Sequence, residues 1–275
     1  NAINIALNAV LVALGYGVLG VAFATLVSRV VCGICMTVLV AHPYNPLQIK
    51  KFSSLLPNKK MILRILRIGI PSGIENGMFQ IGKLLVSSLT ATFGTAAIAA
   101  NAVANSIAGF ANIPGIAIGL AMVTVIGRCI GAGEKEQAKR YSRKLLGLAY
   151  GGMCLTDITL LILVRPLVGC FSLSGEAFAI TVQLLQTFSI CAMLIWPLSF
   201  ALPNVLRVAG DAKYTMEVSV FSMWVFRVAS SYFFAGTLKM GVLGVWIGMY
   251  VDWVFRSLLF VIRYKRGKWL NKRVV

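Results

Sequence analysis

The sequence predicts an all-α membrane protein that crosses the bilayer several times, and two observations support this prediction. Hydrophobic residues make up 59% of the 275-residue chain and charged residues only 12%, about half the charged fraction of soluble domains. Of the 26 Lys and Arg residues, 20 lie in every second gap between long apolar runs, which is typical of cytoplasmic loops. Because these residues flank apolar runs, the net charge of +18 does not indicate a nucleic-acid partner.

Eight hydrophobic segments are predicted, and a full crossing needs roughly 20 residues. They cover residues 1–14, 20–41, 68–93, 97–127, 144–165, 177–203, 215–236 and 243–262. The first segment is too short for a full crossing, so we expect it to be the end of a truncated helix. The basic gaps and the basic tail are assigned to the cytoplasmic side of the membrane.

A short internal repeat predicts the domain organisation. The sequence Gly17–Val21 recurs as Gly241–Val245, and both copies precede a segment that ends in basic residues. Such repeats are common in secondary transporters, and this one predicts two pseudo-symmetric six-helix lobes in the intact protein. The predicted regions are the last two helices of the first lobe (1–41, one truncated), a basic cytoplasmic linker (42–67), a complete second lobe (68–262) and a basic cytoplasmic tail (263–275).

Two local features of the chain are also assigned. The alternation of basic and apolar residues over Lys59–Gly69 predicts a short amphipathic helix in the interface before Pro71. Gly15–Gly20 has the spacing of a dinucleotide-binding motif, but it lies between two apolar segments and therefore predicts a tight turn.

Neither an enzyme nor an ATPase is expected. Gly77–Lys83 matches most of a phosphate-binding loop, but it lies inside an apolar segment and Leu84 replaces the required Ser or Thr. We therefore expect no ATPase domain, no cofactor and no structural metal, and the energy source would be a gradient of Na+ or H+.

Glu75 is the first candidate for the binding site of that ion. A charged residue at mid-span costs roughly 3 kcal/mol, so it needs a functional or structural reason. Glu75, Phe79 and Lys83 share one helix face, flanked by Asn76 and Gln80. Carboxylate and amide oxygens in a wet cavity predict a Na+ or proton site that Lys83 modulates. The alternative is a structural pair between Glu75 and Lys83.

The remaining charged residues within spans receive weaker predictions. Asp157 is predicted either to meet Arg227 or to act as a second protonation site. Arg227 is expected to extend its head group toward the interface. Asp252 and Arg256, four residues apart, are predicted to form an ion pair within one helix.

Two pairs of asparagines have helical spacing, and the helices offer candidate hinges. Asn4 with Asn8, and Asn101 with Asn105, place two amides on one face. Each pair predicts either cation ligands or hydrogen bonds between helices. Candidate hinges are Pro71 and the pair Pro114–Gly115, where a bend either moves during transport or is static.

Several short motifs resemble the multidrug and toxic compound extrusion (MATE) family. They are Gly69–Glu75, Phe93–Ala97, Ala99–Asn101, Pro114–Ala117, Gly131–Gly133, Gly244–Trp246, Asp252–Arg256, Gly267–Trp269 and the pair Asn4 and Asn8. The resemblance implies twelve helices around a central cavity with alternating access. It implies cation-binding roles for Glu75, Asn4 and Asn8.

The resemblance also implies a function. It is multidrug efflux of organic cations and xenobiotics in exchange for Na+ or H+, by a monomer in a bacterial cytoplasmic membrane. The substrate cavity is expected to use Asn76, Met78, Phe79, Gln80, Asn101, Asn105, Phe110 and Trp196. The alternative is a lipid-linked oligosaccharide flippase, which needs an Arg-lined cavity. Only Arg29 and Arg227 are candidates for such a lining, which argues against it.

Overall fold

A computed structural model describes residues 1–41 and 58–271, and every regular element within these residues is a helix. The chain divides into two compact units, Asn1–Ile62 and Leu63–Val275. Most of the predicted linker, residues 42–57, lies outside the described residues.

The first unit contains a helical hairpin. Helix α1 covers Ala2–Ala13 and helix α2 covers Gly17–Ala41. Between them Gly15 and Gly17 have φ values of 83° and 50°, a region that glycine adopts at little cost. The prediction that Gly15–Gly20 forms a tight turn rather than a nucleotide-binding loop is therefore confirmed.

Three helices follow, and the first of them begins at Lys59, four residues before the start of the second unit. They are α3 (Lys59–Ala91), α4 (Thr95–Ala111) and α5 (Ile113–Gly131). The prediction that residues 59–69 form a separate short helix was wrong, because they are helical but belong to α3, which continues through Pro71. The predicted single segment 97–127 was also wrong, because its helix ends at Ala111 and a new one starts beyond Asn112. Pro114, in the first turn of α5, has no N–H to continue the α4 ladder.

The rest of the second unit contains five α-helices, several of which are joined by irregular helical turns. They are α6 (Lys135–Gly169), α7 (Gly175–Trp196), α8 (Leu202–Leu206), α9 (Ala212–Ser222) and α10 (Gly241–Lys265). Wider π-helical turns occupy Pro197–Ala201, Met223–Ala229 and Tyr232–Thr237, and the segment Arg207–Asp211 is kinked at Gly210, which has a φ of 85°. Such turns reorient side chains within a helix and are frequent at functional sites.

The surface of the described chain is apolar in the way that a bilayer requires. Large hydrophobic side chains such as Val18, Leu19, Phe110 and Ile162 are more than 70% exposed. Within the described residues, α2, α5, α6, the run Gly175–Thr237 and α10 are long and apolar enough to cross a membrane. Helix α3 is long enough, but its many polar residues lower its mean hydropathy. The fold is that of an all-α multi-pass membrane protein.

Aromatic side chains dominate the core next to the candidate site. Phe188 on α7 makes edge contacts with Trp246 and Trp253 on α10, with ring centroids 5.8 and 6.0 Å apart. Trp196 stacks on Phe200 at 5.1 Å. The edge-to-face contacts of Phe188 stabilise the packing of α7 against α10.

Candidate functional site

Glu75 lies on the inner face of α3, where it pairs with a cation that the sequence places in a loop. Arg207 Nη2 donates to Glu75 Oε1 at 2.5 Å, and Glu75 is buried. Arg207 also donates through Nη1 to Asn204 Oδ1 at 2.9 Å. The alternative of a structural Glu75–Lys83 pair was wrong, because Arg207 reaches the carboxylate from the kinked segment Arg207–Asp211.

Lys83 and two buried arginines surround the ring of Phe79. The Lys83 ammonium is 5.4 Å from the ring centroid. The Arg227 and Arg256 guanidinium carbons are 5.4 and 5.8 Å from it. Phe79 therefore contributes more than apolar surface to the site, because its π-electrons attract the three cations around the ring. In the described part of the chain Lys83 forms no ion pair.

The ion pairing of α10 differs from the prediction. Asp252 is fully buried, accepts a hydrogen bond from Ser222, and lies 4.0 Å from Arg227 Nη1. The predicted Asp252–Arg256 pair was wrong, because the Arg256 guanidinium turns toward Phe200 and its Nη2 donates to the Ser199 carbonyl at 3.5 Å.

The expectation that Arg227 extends toward the interface was also wrong. Arg227 is 8% exposed. It lies in the π-helical turn Met223–Ala229, which directs it toward Phe79 and Asp252.

Three adjoining cavities open along this face of α3, and all are lined by Lys83. Their volumes are about 510, 420 and 350 Å³. We call them together the Lys83 cavity. Of the predicted lining residues, those found there are Asn76, Phe79, Gln80, Asn101, Asn105 and Trp196. The prediction that these residues share a cavity is therefore consistent with the geometry.

Two predicted lining residues lie outside the Lys83 cavity. Phe110 is 73% exposed and lies in a separate groove with Leu155 and Thr159 of α6. Its neighbour Gly109 faces the cavity instead, and adjacent helical residues point about 100° apart. Met78 is rotated away from Phe79 for the same reason and does not line the cavity. Both predictions were wrong.

The amides on α4 contribute to the cavity wall. Asn105 Nδ2 donates to Asn101 Oδ1 at 3.0 Å, and Trp246 Nε1 donates to the same oxygen at 3.0 Å. The Asn101 oxygen is thus held by two donors, which favours the alternative of hydrogen bonding between helices over cation binding. Asn105 is exposed and lines the cavity.

The bend at Asn112 and Pro114 packs against α6 and α7. A Cβ at Gly115 would collide with the Trp196 ring and would lie 2.9 Å from Met153 Sδ. Thr156 Oγ1 donates to the Ala111 carbonyl at 3.0 Å, so α6 accommodates the end of α4. The bend is a close-packed joint between α4 and α5 beside the cavity.

Asp157 is a buried acid in the middle of α6. It is fully buried on the stripe of α6 that includes Met153 and Leu160. In the described chain neither of its carboxylate oxygens has a hydrogen-bond partner. The predicted alternative of a contact with Arg227 was wrong, since Arg227 pairs with Asp252. A second protonation site stays a prediction.

In the first unit the paired asparagines lie on one face of α1. Asn8 Nδ2 donates to Asn4 Oδ1 at 3.1 Å. Asn4 Nδ2 lies 3.4 Å from both Thr25 Oγ1 and Ser28 Oγ of α2. These contacts favour a link between helices, while the buried Asn8 Oδ1 has no partner in the described residues.

Comparison with known proteins identifies the family. The sequence profile of the MatE family matches residues 71–233, which include Glu75, Phe79, Lys83 and Arg227. The chain belongs to the MatE family. It is 30% identical over 99% of its length to the uncharacterized transporter YisQ of Bacillus subtilis, of which it covers 60%. It is 27% identical over 94% of its length to a probable multidrug resistance protein NorM of Thermotoga maritima, of which it covers 55%.

Solved structures of MatE-type transporters share the fold of this chain. An outward-facing multidrug resistance MATE family transporter matches with a TM-score of 0.86 and 21% identity, over 98% of this chain and 62% of that protein. A transporter of Pyrococcus furiosus, described as having a binding pocket of reverse polarity, matches with a TM-score of 0.88 and 21% identity, over 99% and 61%. This MatE chain thus spans about 60% of the length of these relatives.

Two residues of this MatE site were not predicted from the sequence. Arg207 was assigned to a cytoplasmic gap, and Arg256 was assigned to a pair within α10. The Lys83 cavity and its surroundings contain four cations (Lys83, Arg207, Arg227, Arg256) and two carboxylates (Glu75, Asp252), a net formal charge of +2. Sequence spacing around Phe79 could not reveal this convergence, because the arginines come from three distant segments.

Proposed function

We propose that this chain forms part of a secondary active exporter. It would move small amphipathic molecules across a bacterial cytoplasmic membrane in exchange for Na+ or H+. Family membership supports a transporter rather than an enzyme, and several relatives are named as multidrug resistance proteins. The single observation that carries the ion-coupled mechanism is the Glu75–Arg207 pair in the wall of the Lys83 cavity.

The proposed coupling is a competition for the Glu75 carboxylate. Breaking a buried ion pair by neutralising one member costs about 3–5 kcal/mol unless the freed charge finds a new partner. A proton or Na+ on Glu75 therefore releases Arg207, which is partly exposed and can turn toward water. Two arrangements of this pair bias two conformations of the lobe, and the ion shifts the population between them.

The joint between α4 and α5 is the proposed moving part. It interrupts the backbone ladder next to the cavity, and α6 holds it through Thr156 rather than through helix hydrogen bonds alone. The Asn4–Asn8 face is the predicted second ion site and stays a prediction.

The predicted cargo, an organic cation, also stays a prediction, and the charge of the cavity wall argues against it. The same charge favours the second candidate function, a flippase of lipid-linked oligosaccharides. The sequence alone disfavours that candidate, because it offers only Arg227 and Arg29 for a cationic lining. In the fold, Arg207 and Arg256 join Arg227 in or beside the Lys83 cavity.

Transport in proteoliposomes tests the proposed coupling. A transporter of full family length that contains this chain is reconstituted, and an imposed Na+ or pH gradient drives efflux of ethidium or naphthalene-1-sulfonate. Gradient-driven efflux of one probe is expected in the wild type. It should fall at least about tenfold in Glu75→Gln, which keeps the shape but removes the charge.

The matched control is Glu217→Gln, which removes an exposed carboxylate that pairs only loosely with Lys213 at 3.8 Å. This variant should transport normally. If Glu75→Gln and Glu217→Gln both kept full gradient-driven efflux, the coupling role of Glu75 would be refuted.

A further inference from the structure

The cations of the Lys83 cavity outnumber their acidic partners, and their donors are incompletely used. Arg227 and Arg256 are 8% and 3% exposed. In the described chain, Nε of Arg227 and both Nε and Nη1 of Arg256 have no hydrogen-bond partner. Buried charged donors without acceptors are costly. Among the described residues Asp252 is the one carboxylate that pairs with either arginine, at 4.0 Å from Arg227.

The head groups of both arginines and of Lys83 lie around a single ring. Arg227, Arg256 and Lys83 surround Phe79 at 5.4–5.8 Å from its centroid. The exposed Lys83 side chain lines all three cavities, while Arg227 lines two of them and Arg256 the third. A planar guanidinium matches an oxyanion with two parallel hydrogen bonds, and an ammonium adds a mobile point charge. The arrangement therefore offers convergent donors for a group with several anionic oxygens.

The wall beside these cations is apolar and aromatic. The lining of the 420 Å³ cavity includes two cations, Lys83 and Arg227, and four aromatic residues, Phe79, Phe188, Trp196 and Trp253. A bound molecule that contacts both kinds of residue needs an anionic group joined to an apolar body. An organic cation would instead meet the net positive charge of the wall, which disfavours it electrostatically.

We propose that the Lys83 cavity binds an amphiphile whose phosphate or sulfonate group is held by Lys83, Arg227 and Arg256. This inference deepens the proposed function and rests on it, since it names the chemical class of the transported molecule. The oxyanion offsets the excess positive charge of these three head groups. The source of the group is either a soluble aromatic ester or a lipid headgroup.

Binding to the purified transporter of full family length tests the inference. Quenching of tryptophan fluorescence reports occupancy, because Trp196, Trp246 and Trp253 line the cavity. The soluble probes are 1-naphthyl phosphate, neutral 1-naphthol and cationic 1-naphthylmethylamine. The lipid probes are lysophosphatidic acid and the uncharged monoacylglycerol of equal chain length. Within each set the phosphate should bind about tenfold more tightly than its uncharged partner.

Substitutions locate the site of binding. Lys83→Gln should weaken phosphate binding at least about fivefold, and Lys83→Arg should restore it, because the charge is retained. Lys83 is exposed and forms no ion pair within the described residues, so both variants should fold. Lys139→Gln removes an exposed cation of α6 outside the cavity and should bind like the wild type. Arg227→Lys provides a second, charge-conserving probe, and loss of the bidentate geometry should weaken phosphate binding without changing naphthol binding.

The outcomes separate this inference from the proposed function. Tighter binding of the amine than of the phosphate, or equal phosphate binding in Lys83→Gln and wild type, would overturn the anion site. Ion-driven export of ethidium that depends on Glu75 would then leave the exporter intact. Conversely, Lys83-dependent phosphate binding without any gradient-driven transport would refute the exporter and support the anion site. The tighter-bound of the two phosphates identifies whether the source is a soluble ester or a lipid.

Discussion

Two helical hairpins contain the same five residues, Gly-Val-Leu-Gly-Val, at the start of their second helix. The first hairpin is α1–α2, and the second consists of the segment Met223–Thr237 and α10. Gly17 and Gly241 begin α2 and α10 with φ values of 50° and 57°. Three residues later, Gly20 and Gly244 are both buried where the helices approach closely. The polar chemistry beyond the turns differs, because the first hairpin carries neutral amides and the second carries charged residues. A repeated backbone can therefore hold two different kinds of polar site.

The charged residues of the second hairpin should produce the largest effect. Asp252→Asn leaves Arg227 buried without its paired carboxylate, and we expect a loss of about 3 kcal/mol in unfolding free energy. Thermal unfolding in detergent micelles measures it. Asp252→Glu, which keeps the charge, is the matched control and should lose less. Equal stability of Asp252→Asn and wild type would show that this acid does not hold the cations in place.

Substitution of Gly20 or Gly244, the fourth residue of each copy of the repeat, should give the next largest loss of unfolding free energy. A Cβ at Gly244 would lie 2.7 Å from the Ala235 backbone nitrogen, whereas a Cβ at Gly20 would lie 2.9 Å from the Leu11 Cβ. At Gly244 three backbone atoms of Phe234 and Ala235 lie within 2.8 Å of the added Cβ, and at Gly20 one atom lies within 3.0 Å, so Gly244→Ala should cost about 2 kcal/mol and Gly20→Ala less.

The control for these substitutions is Gly33→Ala in the middle of α2, where an added Cβ meets no atom. It should be neutral or stabilising by roughly 0.5–1 kcal/mol, since alanine favours the helix. Thermal unfolding of the three variants checks the ranking. A larger loss in Gly20→Ala than in Gly244→Ala would contradict the proposed difference between the hairpins.

The turn glycines should behave alike in the two hairpins. Gly17→Ala and Gly241→Ala each force a side chain into the left-handed region, at a cost of about 1 kcal/mol. Gly17→Asn and Gly241→Asn should recover part of the loss, because asparagine tolerates this region better. Unfolding temperatures of the four variants test whether the repeat preserves the turn. A cost at one glycine only would indicate that the two turns are not equivalent.

The neutral amides of the first hairpin should give the smallest effect on stability. Asn8→Ala removes the 3.1 Å hydrogen bond to Asn4, and because this bond lies within α1 we expect a loss below the roughly 0.6 kcal/mol that hydrogen bonds between membrane helices contribute on average. Na+-dependent stabilisation of the transporter of full family length provides the second measurement. If Na+ stabilises the wild type but not Asn8→Ala, the amides bind the ion. If both respond equally, Asn8 does not bind the ion and serves only to hold the Asn4 side chain that contacts α2.

The sequence predicted features that depend on local chemistry. Apolar run length and the distribution of basic residues predicted membrane helices, and the comparisons confirm the family. The glycines at 15 and 17 predicted a turn, because few other residues adopt positive φ at low cost. The i, i+4 spacing placed Asn4 with Asn8 and Glu75 with Phe79 on shared faces, since the helix fixes those directions.

The tertiary structure decided which charges meet. Glu75 pairs with Arg207, 132 residues away, and Arg227 pairs with Asp252 across two segments. Local spacing favours Lys83 and Arg256 as partners, but helix packing places Arg207 in the kinked segment before Gly210 and Arg227 in a π-helical turn. Helical periodicity determines only the face on which a side chain lies. The partner that it meets, and hence the charge of the cavity, depends on how distant helices pack.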